Sequence, residues 1–229
     1  MAERLNIHID ETGTEDMADG FHAVSLVFHV HDDDVASHIE RYENALAVAG
    51  LPDVPFHGVK LLHGHAEYEG LEPGVRKKML YSFAALVKNL PVRYVAFVHG
   101  APDVGSASQL KTSLRRDMSQ SAFDNLAYFQ RFDEIHVYYD RGQKSVSRAV
   151  AEALNFALAR NVAEFKKPVY GERRLCQVAD YACCVERAMR AYDRNGESAT
   201  YRVFCGTRRD FRRNLYRQLS RKRFDGDSR

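Results

Sequence analysis

The sequence of 229 residues lacks tryptophan and contains only four cysteines and six prolines. The cysteines all lie in the last quarter of the chain, and no two of them have the CxxC spacing. This distribution indicates small packing residues in a reducing compartment rather than a disulfide framework or a zinc site.

Long hydrophobic runs are also missing. No stretch approaches the roughly 18 consecutive apolar residues that a membrane-spanning helix needs. The opening residues MAERLNIHIDETG lack the basic and apolar regions of a signal peptide. We therefore expect a cytoplasmic protein with no membrane partner.

Three common catalytic and nucleotide-binding motifs are absent: GxGxxG, GxxxxGK(S/T) and GxSxG. Their absence argues against dinucleotide oxidoreductases, nucleotide-driven motors and α/β-hydrolases, respectively. The composition is otherwise that of a folded globular protein, with 45% hydrophobic and 28% charged residues. No internal repeat, low-complexity linker or composition break marks a boundary, so we predict one domain over residues 1–229.

The net charge of +2 conceals a strong asymmetry along the chain. Residues 1–72 contain 15 acidic residues against three Lys plus Arg, whereas residues 202–229 contain ten Lys plus Arg against three Asp. Acidic regions attract metal ions and basic regions attract phosphates. A basic helix is predicted at about 208–222, and it is either a solvated surface helix or a phosphate-binding element. The arginines that it would offer to a phosphate backbone are Arg208, Arg209, Arg212 and Arg213.

Hydrophobic periodicity predicts strands and helices in alternation. The predicted strands are 5–10, 21–30, 93–99, 134–140 and 162–168. The predicted helices are 32–49, 73–89, 107–131 (as one helix or two), 145–160, 175–193 and 208–222. This order favours an α/β fold with a mixed sheet and helices on both faces. The segment 53–72 has no clean period and contains three glycines, so we expect an irregular insert with at most one short strand.

Three aspartates occupy positions where the surrounding pattern is apolar or regular. Asp10 and Asp140 each end a predicted strand, and Asp180 interrupts the largely apolar helical stretch LCQVADYACCV. Each has a structural alternative. Asp10 could open a turn, Asp140 could cap the following helix, and Asp180 could pair with a buried arginine.

A shared site is the other interpretation of these aspartates. If the two strands are neighbours, Asp10 and Asp140 lie at adjacent strand ends, and a helix packed on that face can present Asp180 to both. Three converging carboxylates repel one another unless a cation lies between them. Hard oxygen ligands suit Mg²⁺ or Mn²⁺, which serve in phosphoryl-transfer sites.

Four motifs carry a family resemblance: IHIDETG near the start, VYYD at mid-chain, QVADY on a late helix and VFCGTRRDFRRNLY near the end. They resemble the motifs of the domain of unknown function 3800 family, which is similar in fold to ribonuclease H. The resemblance extends over about residues 5–220. One departure is visible, because Thr12 stands where the family usually has Ser, although the hydroxyl is kept.

The resemblance implies a ribonuclease H-like fold with Asp10, Asp140 and Asp180 as the catalytic ligands of Mg²⁺ or Mn²⁺. It also makes Glu11 a fourth catalytic candidate. Glu11 points to the opposite strand face if the strand is regular, unless the turn rotates it inward.

Two further residues are candidates for contacting the substrate. The resemblance places a histidine near His57, whose imidazole could position a leaving group, and Gln177 could orient Asp180 or touch the substrate. A zinc site formed by His57, His63 and His65 is disfavoured, because the spacing matches no helical HxxxH motif and no cysteine accompanies it.

These observations favour a divalent-metal-dependent nuclease or phosphodiesterase that acts on nucleic acid. The alternatives are a non-catalytic nucleic-acid- or protein-binding module of a phage-defence or mobile-element system, and a phosphoesterase of small nucleotides. Arg141 and Lys144 follow Asp140 and could contact a phosphate, although a solvated helix start is the preferred interpretation. The sequence does not distinguish DNA from RNA as the substrate, and it does not distinguish a homo-oligomer from a monomer.

Overall fold

The described part of the computed structural model is built around one five-stranded mixed sheet, and it comprises residues 3–14, 20–101, 104–139, 143–158, 163–195 and 198–226. The strands are β1 (Arg4–Thr12), β2 (Phe21–Val30), β3 (Arg93–Gly100), β4 (Glu134–Tyr138) and β5 (Ala163–Lys166). Their order in the sheet is β3-β2-β1-β4-β5. β2 is antiparallel to β1 and β3, whereas β4 is parallel to β1 and β5. β1 is therefore the central strand, with an antiparallel neighbour on one side and a parallel one on the other.

The helices of the described residues are α1 (Ala36–Val48), α2 (Gly58–His63), α3 (Pro73–Asn89), α4 (Ala107–Asp124), α5 (Leu126–Phe129), α6 (Lys144–Ala157), α7 (Tyr170–Asn195), α8 (Ala199–Cys205), α9 (Arg208–Phe211) and α10 (Arg217–Ser220). None of the helices described is long and apolar enough to cross a membrane.

Alternation along β1 separates two sets of side chains. Leu5, Ile7 and Ile9 pack into one core together with α4 and α6, and we call this side of the sheet the α4/α6 face. His8 and Asp10 point to the opposite side, since successive side chains of a strand alternate. There the second core is formed with α1, α3 and α7, and we call this side the α7 face. The predicted mixed α/β architecture with helices on both faces is thus confirmed at the level of sheet and layers.

The segment 53–72 is more ordered than expected, because it contains α2 and a 3₁₀ turn at Ala66–Tyr68 and no strand. Its order depends on contacts from elsewhere in the chain. The guanidinium of Arg76 on α3 donates to the carbonyls of Leu61 (2.6 Å) and Leu62 (2.9 Å) and so satisfies the C-terminal end of α2. A short helix whose end is held by a distant side chain has no local sequence signal, which explains the wrong expectation.

The C-terminal region also differs from the single helix expected at 208–222. α9 and α10 are joined by a π-helical turn at Arg212–Tyr216, and α8 precedes them. Phe211 and Leu215 are buried and form the core side of this segment. The π turn adds a residue relative to a regular α-helix, so the arginines on either side of it do not follow one continuous 3.6-residue period.

Candidate metal-binding and catalytic site

Asp10 lies at the C-terminal end of the central strand, directly beneath α7. Its peptide carbonyl accepts a hydrogen bond from the thiol of Cys183 (3.2 Å), and the hydroxyl of Ser25, its partner on β2, donates to the carbonyl of Ala179 (2.8 Å). Burial, the charge of Asp180 and the charge of Glu11 raise the pKa of Asp10 well above its ordinary value. Asp180 is therefore close enough to Asp10 for its charge to disfavour ionisation of the Asp10 carboxyl.

Asp180 is 6% exposed and lies in the third turn of α7. Its carboxylate accepts from the backbone amide of Gly58 (3.2 Å to Oδ2) and lies 2.8 Å from Nδ1 of His57. The hydrogen bond to Asp180 is the main cause that raises the pKa of His57, against the opposing effect of burial. The structural alternative was a pair with a buried arginine. The structure instead gives Asp180 an imidazole and a helix-terminal amide.

Gly58 allows α2 to approach α7 at this point. A Cβ atom built on Gly58 would lie 2.0 Å from Sγ of Cys184 and 3.2 Å from Oδ1 of Asp180. No side chain fits in that space without displacing α2, so the close approach requires glycine. His57 is held beside it, since its backbone amide donates to the hydroxyl of Tyr68 (3.1 Å), which in turn donates to the carbonyl of Pro55 (3.0 Å).

Gln177 also ties this segment to α7. Its side-chain carbonyl accepts from the backbone amide of Phe56 (3.1 Å) and from the guanidinium of Arg174 (3.0 Å). Arg174 is itself buried and donates to Glu43 and Asp53. These contacts give Gln177 a role in positioning residues 56–58, whereas the sequence suggested an interaction with Asp180 or with substrate.

Glu11 is separated from Asp10, because β1 remains regular to its end and the two side chains alternate. The carboxylate of Glu11 accepts hydrogen bonds from the hydroxyl of Tyr139 and the amide of Gln143 (3.3 Å). Tyr139 packs against the core of the α4/α6 face. The inward rotation considered for Glu11 is therefore not observed, and burial is the main cause that raises its pKa.

Asp140 lies outside the described residues. The strand that leads to it is nonetheless placed, since β4 pairs with β1 in parallel with Tyr138 opposite His8, and the two rings stack 4.9 Å apart. β1 and β4 are thus the neighbouring strands that a shared site requires. Within the described residues, no group of three His, Cys, Asp or Glu side chains is placed to hold a metal ion.

The four arginines of the C-terminal segment are exposed. Arg208 pairs with Asp193 on α7, and Arg213 lies 3.6 Å from Asp210. Asp193 is 13 residues beyond Asp180, which corresponds to about 20 Å along the helix. Arg209 and Arg212, also on the surface, complete this set.

Two residues near the carboxylates were missed by the sequence reasoning. Cys184 lies one turn after Asp180, with Sγ 3.7 Å from Oδ1, and Arg187 donates to the hydroxyl of Thr12 (3.3 Å). Both follow Asp180 at helical spacings of four and seven residues, which is the signal that could have identified them. In comparisons with known proteins, no family model and no curated protein matches this chain.

Proposed function

We propose that this protein is a divalent-metal-dependent nuclease or phosphodiesterase with a ribonuclease H-like fold. The observation that carries the proposal is the placement of Asp10 and Asp180. The half-buried carboxylate of Asp10 and the buried carboxylate of Asp180 come from different elements and lie on the α7 face, and the charge of Asp180 contributes to the raised pKa of Asp10. A divalent cation between them would remove this repulsion, and carboxylate oxygens are the ligands that Mg²⁺ and Mn²⁺ prefer.

The topology supports a third ligand from β4. Because β1 and β4 are parallel neighbours, their C-terminal ends lie at the same edge of the sheet. Asp140 follows the last residue of β4, Tyr138, by two positions in the sequence, and we propose it as this third ligand. The proposed ligand set of Asp10, Asp140 and Asp180 is the one that the resemblance to ribonuclease H-like proteins implies.

The bound ions would supply activation of the attacking water and stabilisation of the leaving oxygen. Asp10, Asp140 and Asp180 would hold them. His57 contributes separately, since its Nδ1 is engaged by Asp180 and its side chain is 50% exposed. The hydrogen bond to Asp180 favours the protonated imidazole, so Nε2 is available to donate a proton to a departing oxygen.

The substrate in this proposal is nucleic acid. The arginine segment 208–213 is anchored about 20 Å along α7 from Asp180, so it would bind phosphates distant from the bond that is cut. A different class of function is favoured by one observation, the docking of Gly58 and His57 on Asp180. If that docking is the whole role of Asp180, the fold is a binding module without metal or catalysis.

Thermal unfolding with and without Mn²⁺ tests the proposal. For the wild type, Mn²⁺ at about 100 times its dissociation constant should stabilise the fold by about 2.7 kcal/mol, which raises Tm by roughly 5–10 °C at this chain length. Asp10→Asn should abolish this shift and should be at least as stable as the wild type in EDTA, because it removes the repulsion with Asp180.

The matched control is Glu152→Gln, which makes the same chemical change at a half-exposed carboxylate on α6 that pairs with Arg115. This variant should retain the full Mn²⁺ shift. A wild-type protein whose Tm does not respond to Mn²⁺ or Mg²⁺ contradicts the proposal and favours the binding module.

A further inference from the structure

The strand β5 forms one edge of the sheet, and it is short and exposed. β4 pairs with its inner side, and no strand of the described residues pairs with its outer side. Glu164, Phe165 and Lys166 are all exposed. An open edge strand presents backbone amides and carbonyls that can accept a further strand. The outer side of β5 is therefore a template for strand addition.

The charges on β5 protect this edge only weakly. Lysine on an edge strand usually discourages pairing with another chain. In β5, however, Nζ of Lys166 lies 2.5 Å from a carboxylate oxygen of Glu164, so the two charges offset each other. Both side chains are on the α7 face, since Glu164 is the register partner of His136 and Lys166 is the register partner of Tyr138. The strand thus carries one charge of each sign on the same face.

Exposed apolar side chains lie along the chain on both sides of β5. Phe165 itself is on the α4/α6 face, since its register partner Val137 belongs to that core. In the segment 156–170, the large apolar side chains with exposed fractions between 45% and 70% are Phe156, Phe165, Val169 and Tyr170. The ring of Phe156 contacts the exposed ring of Phe123 edge-to-face, with centroids 5.3 Å apart. Exposed apolar surface of this kind beside an open strand is typical of a protein-binding surface.

The sequence of β5 is complementary to itself in the antiparallel direction. When two identical strands pair in one continuous sheet, opposite residues point to the same face, so the two-fold axis passes through a residue and not between two residues. An axis at Phe165 places Glu164 of each copy opposite Lys166 of the other, and such pairs of opposite charge are stabilising. An axis at Glu164 or at Lys166 places two like charges opposite each other. Charge therefore selects the register that is centred on Phe165.

We propose that a second copy of this chain pairs with the outer side of β5, antiparallel and with two-fold symmetry about Phe165, and joins the two five-stranded sheets into one. The interface is isologous, with the two Phe165 rings side by side on the α4/α6 face. Five strand spacings separate the two β1 strands, which corresponds to about 24 Å. The two Asp10 side chains lie on the same side of the joined sheet, and the proposal does not depend on metal binding.

The test exchanges the two charges that define the register. Sedimentation velocity in EDTA, at about 1–200 µM protein and about 0.15 M salt, measures the dissociation constant of the dimer, and the wild type should show a monomer–dimer equilibrium. Glu164→Lys places lysine opposite lysine, and Lys166→Glu places glutamate opposite glutamate, so each variant alone should dimerise at least about tenfold more weakly. An equimolar mixture of the two variants should recover the dimer, because every cross-strand pair in the mixed species again has opposite charges.

The matched controls are Glu40→Lys and Lys78→Glu, which make the same changes of charge at exposed positions on α1 and α3. Both controls should dimerise like the wild type, and far-ultraviolet circular dichroism checks that all four variants are folded. A wild type that stays monomeric over the whole concentration range overturns the proposal. It is also overturned if neither β5 variant weakens the dimer relative to its control, or if the mixture associates as weakly as its two components.

Discussion

Two buried carboxylates on the same helix have different surroundings. Glu186, which is 4% exposed, accepts two hydrogen bonds from the guanidinium of Arg223 (2.7 and 2.9 Å) and one from the hydroxyl of Tyr94 (2.6 Å). Asp180 lies six residues earlier, and its partners are a half-exposed imidazole and a backbone amide. It also lies near a second carboxylate, Asp10.

These surroundings make Glu186 a structural acid and leave Asp180 as a candidate metal ligand. The charge of Glu186 is neutralised by a full positive charge and three hydrogen bonds, so nothing further is needed to hold it in the interior. Asp180 pairs with the half-exposed imidazole of His57, and its charge contributes to the raised pKa of Asp10. Burial of an acid is therefore a weak indicator of function, whereas the balance of charge around it is a strong one.

Removal of the charge on Glu186 should have the largest effect on stability. Glu186→Gln leaves Arg223 and Tyr94 without their carboxylate, and we expect the free energy of unfolding to fall by about 2–3 kcal/mol. The value is below that of a fully buried pair because the Arg223 side chain is 51% exposed. Urea unfolding in EDTA measures it, and the Mn²⁺ shift should persist. A loss below about 1 kcal/mol in the free energy of unfolding would contradict the structural role of Glu186.

Gly58→Ala should have the next largest effect, because the new methyl group overlaps Cys184 and displaces α2 from Asp180. We expect a loss of about 1–3 kcal/mol in urea unfolding, as for other overpacked sites. Gly74→Ala on α3 is the control, since its Cβ meets nothing within 4 Å, and this change should be neutral or stabilising by up to about 1 kcal/mol. Adding Cys184→Ala should recover part of the loss at Gly58. Equal stabilities of the two alanine variants would contradict the close approach.

Of these three variants, Asp180→Asn should change the stability least, and it should abolish metal binding. An asparagine retains an acceptor for the Gly58 amide and removes the repulsion with Asp10, while it loses the ion pair with His57. We expect a change within about 1 kcal/mol in EDTA, since one partner of that pair is half-exposed. The Mn²⁺ shift of Tm should disappear. A large loss of stability in metal-free buffer would make Asp180 structural, like Glu186.

Much of the sheet could be predicted from the sequence. Alternation in β1 and β2 determines which residues face which core, and Pro73 begins α3 as its position suggested. Elements stabilised by distant side chains could not be predicted. α2 depends on Arg76 and on Asp180, and α8 lies in a segment with no assigned element, between the predicted helices 175–193 and 208–222.

Part of the candidate site could likewise be predicted from the sequence, and part of it could not. The positions of Asp10 and Asp180 followed from an interrupted pattern, and the separation of Glu11 followed from strand alternation. The contact of His57 with Asp180 joins residues more than 120 positions apart, and only the docking of α2 brings them together. Buried Arg174 pairs with half-buried Glu43 and exposed Asp53, and composition and spacing do not reveal this network.

The central position of β1 has a consequence for the order of folding. Its antiparallel partner β2 follows within a few residues, whereas the bond from Tyr139 to Glu11 spans 128 residues and that from Cys183 to Asp10 spans 173. Local pairings form early, and distant ones must wait for loop closure and, on the ribosome, for synthesis. The β1–β2 hairpin can therefore form before most of the chain has been synthesised. The acidic site assembles only after α7 has emerged, so a chain interrupted before residue 170 has the strand end of Asp10 but no site.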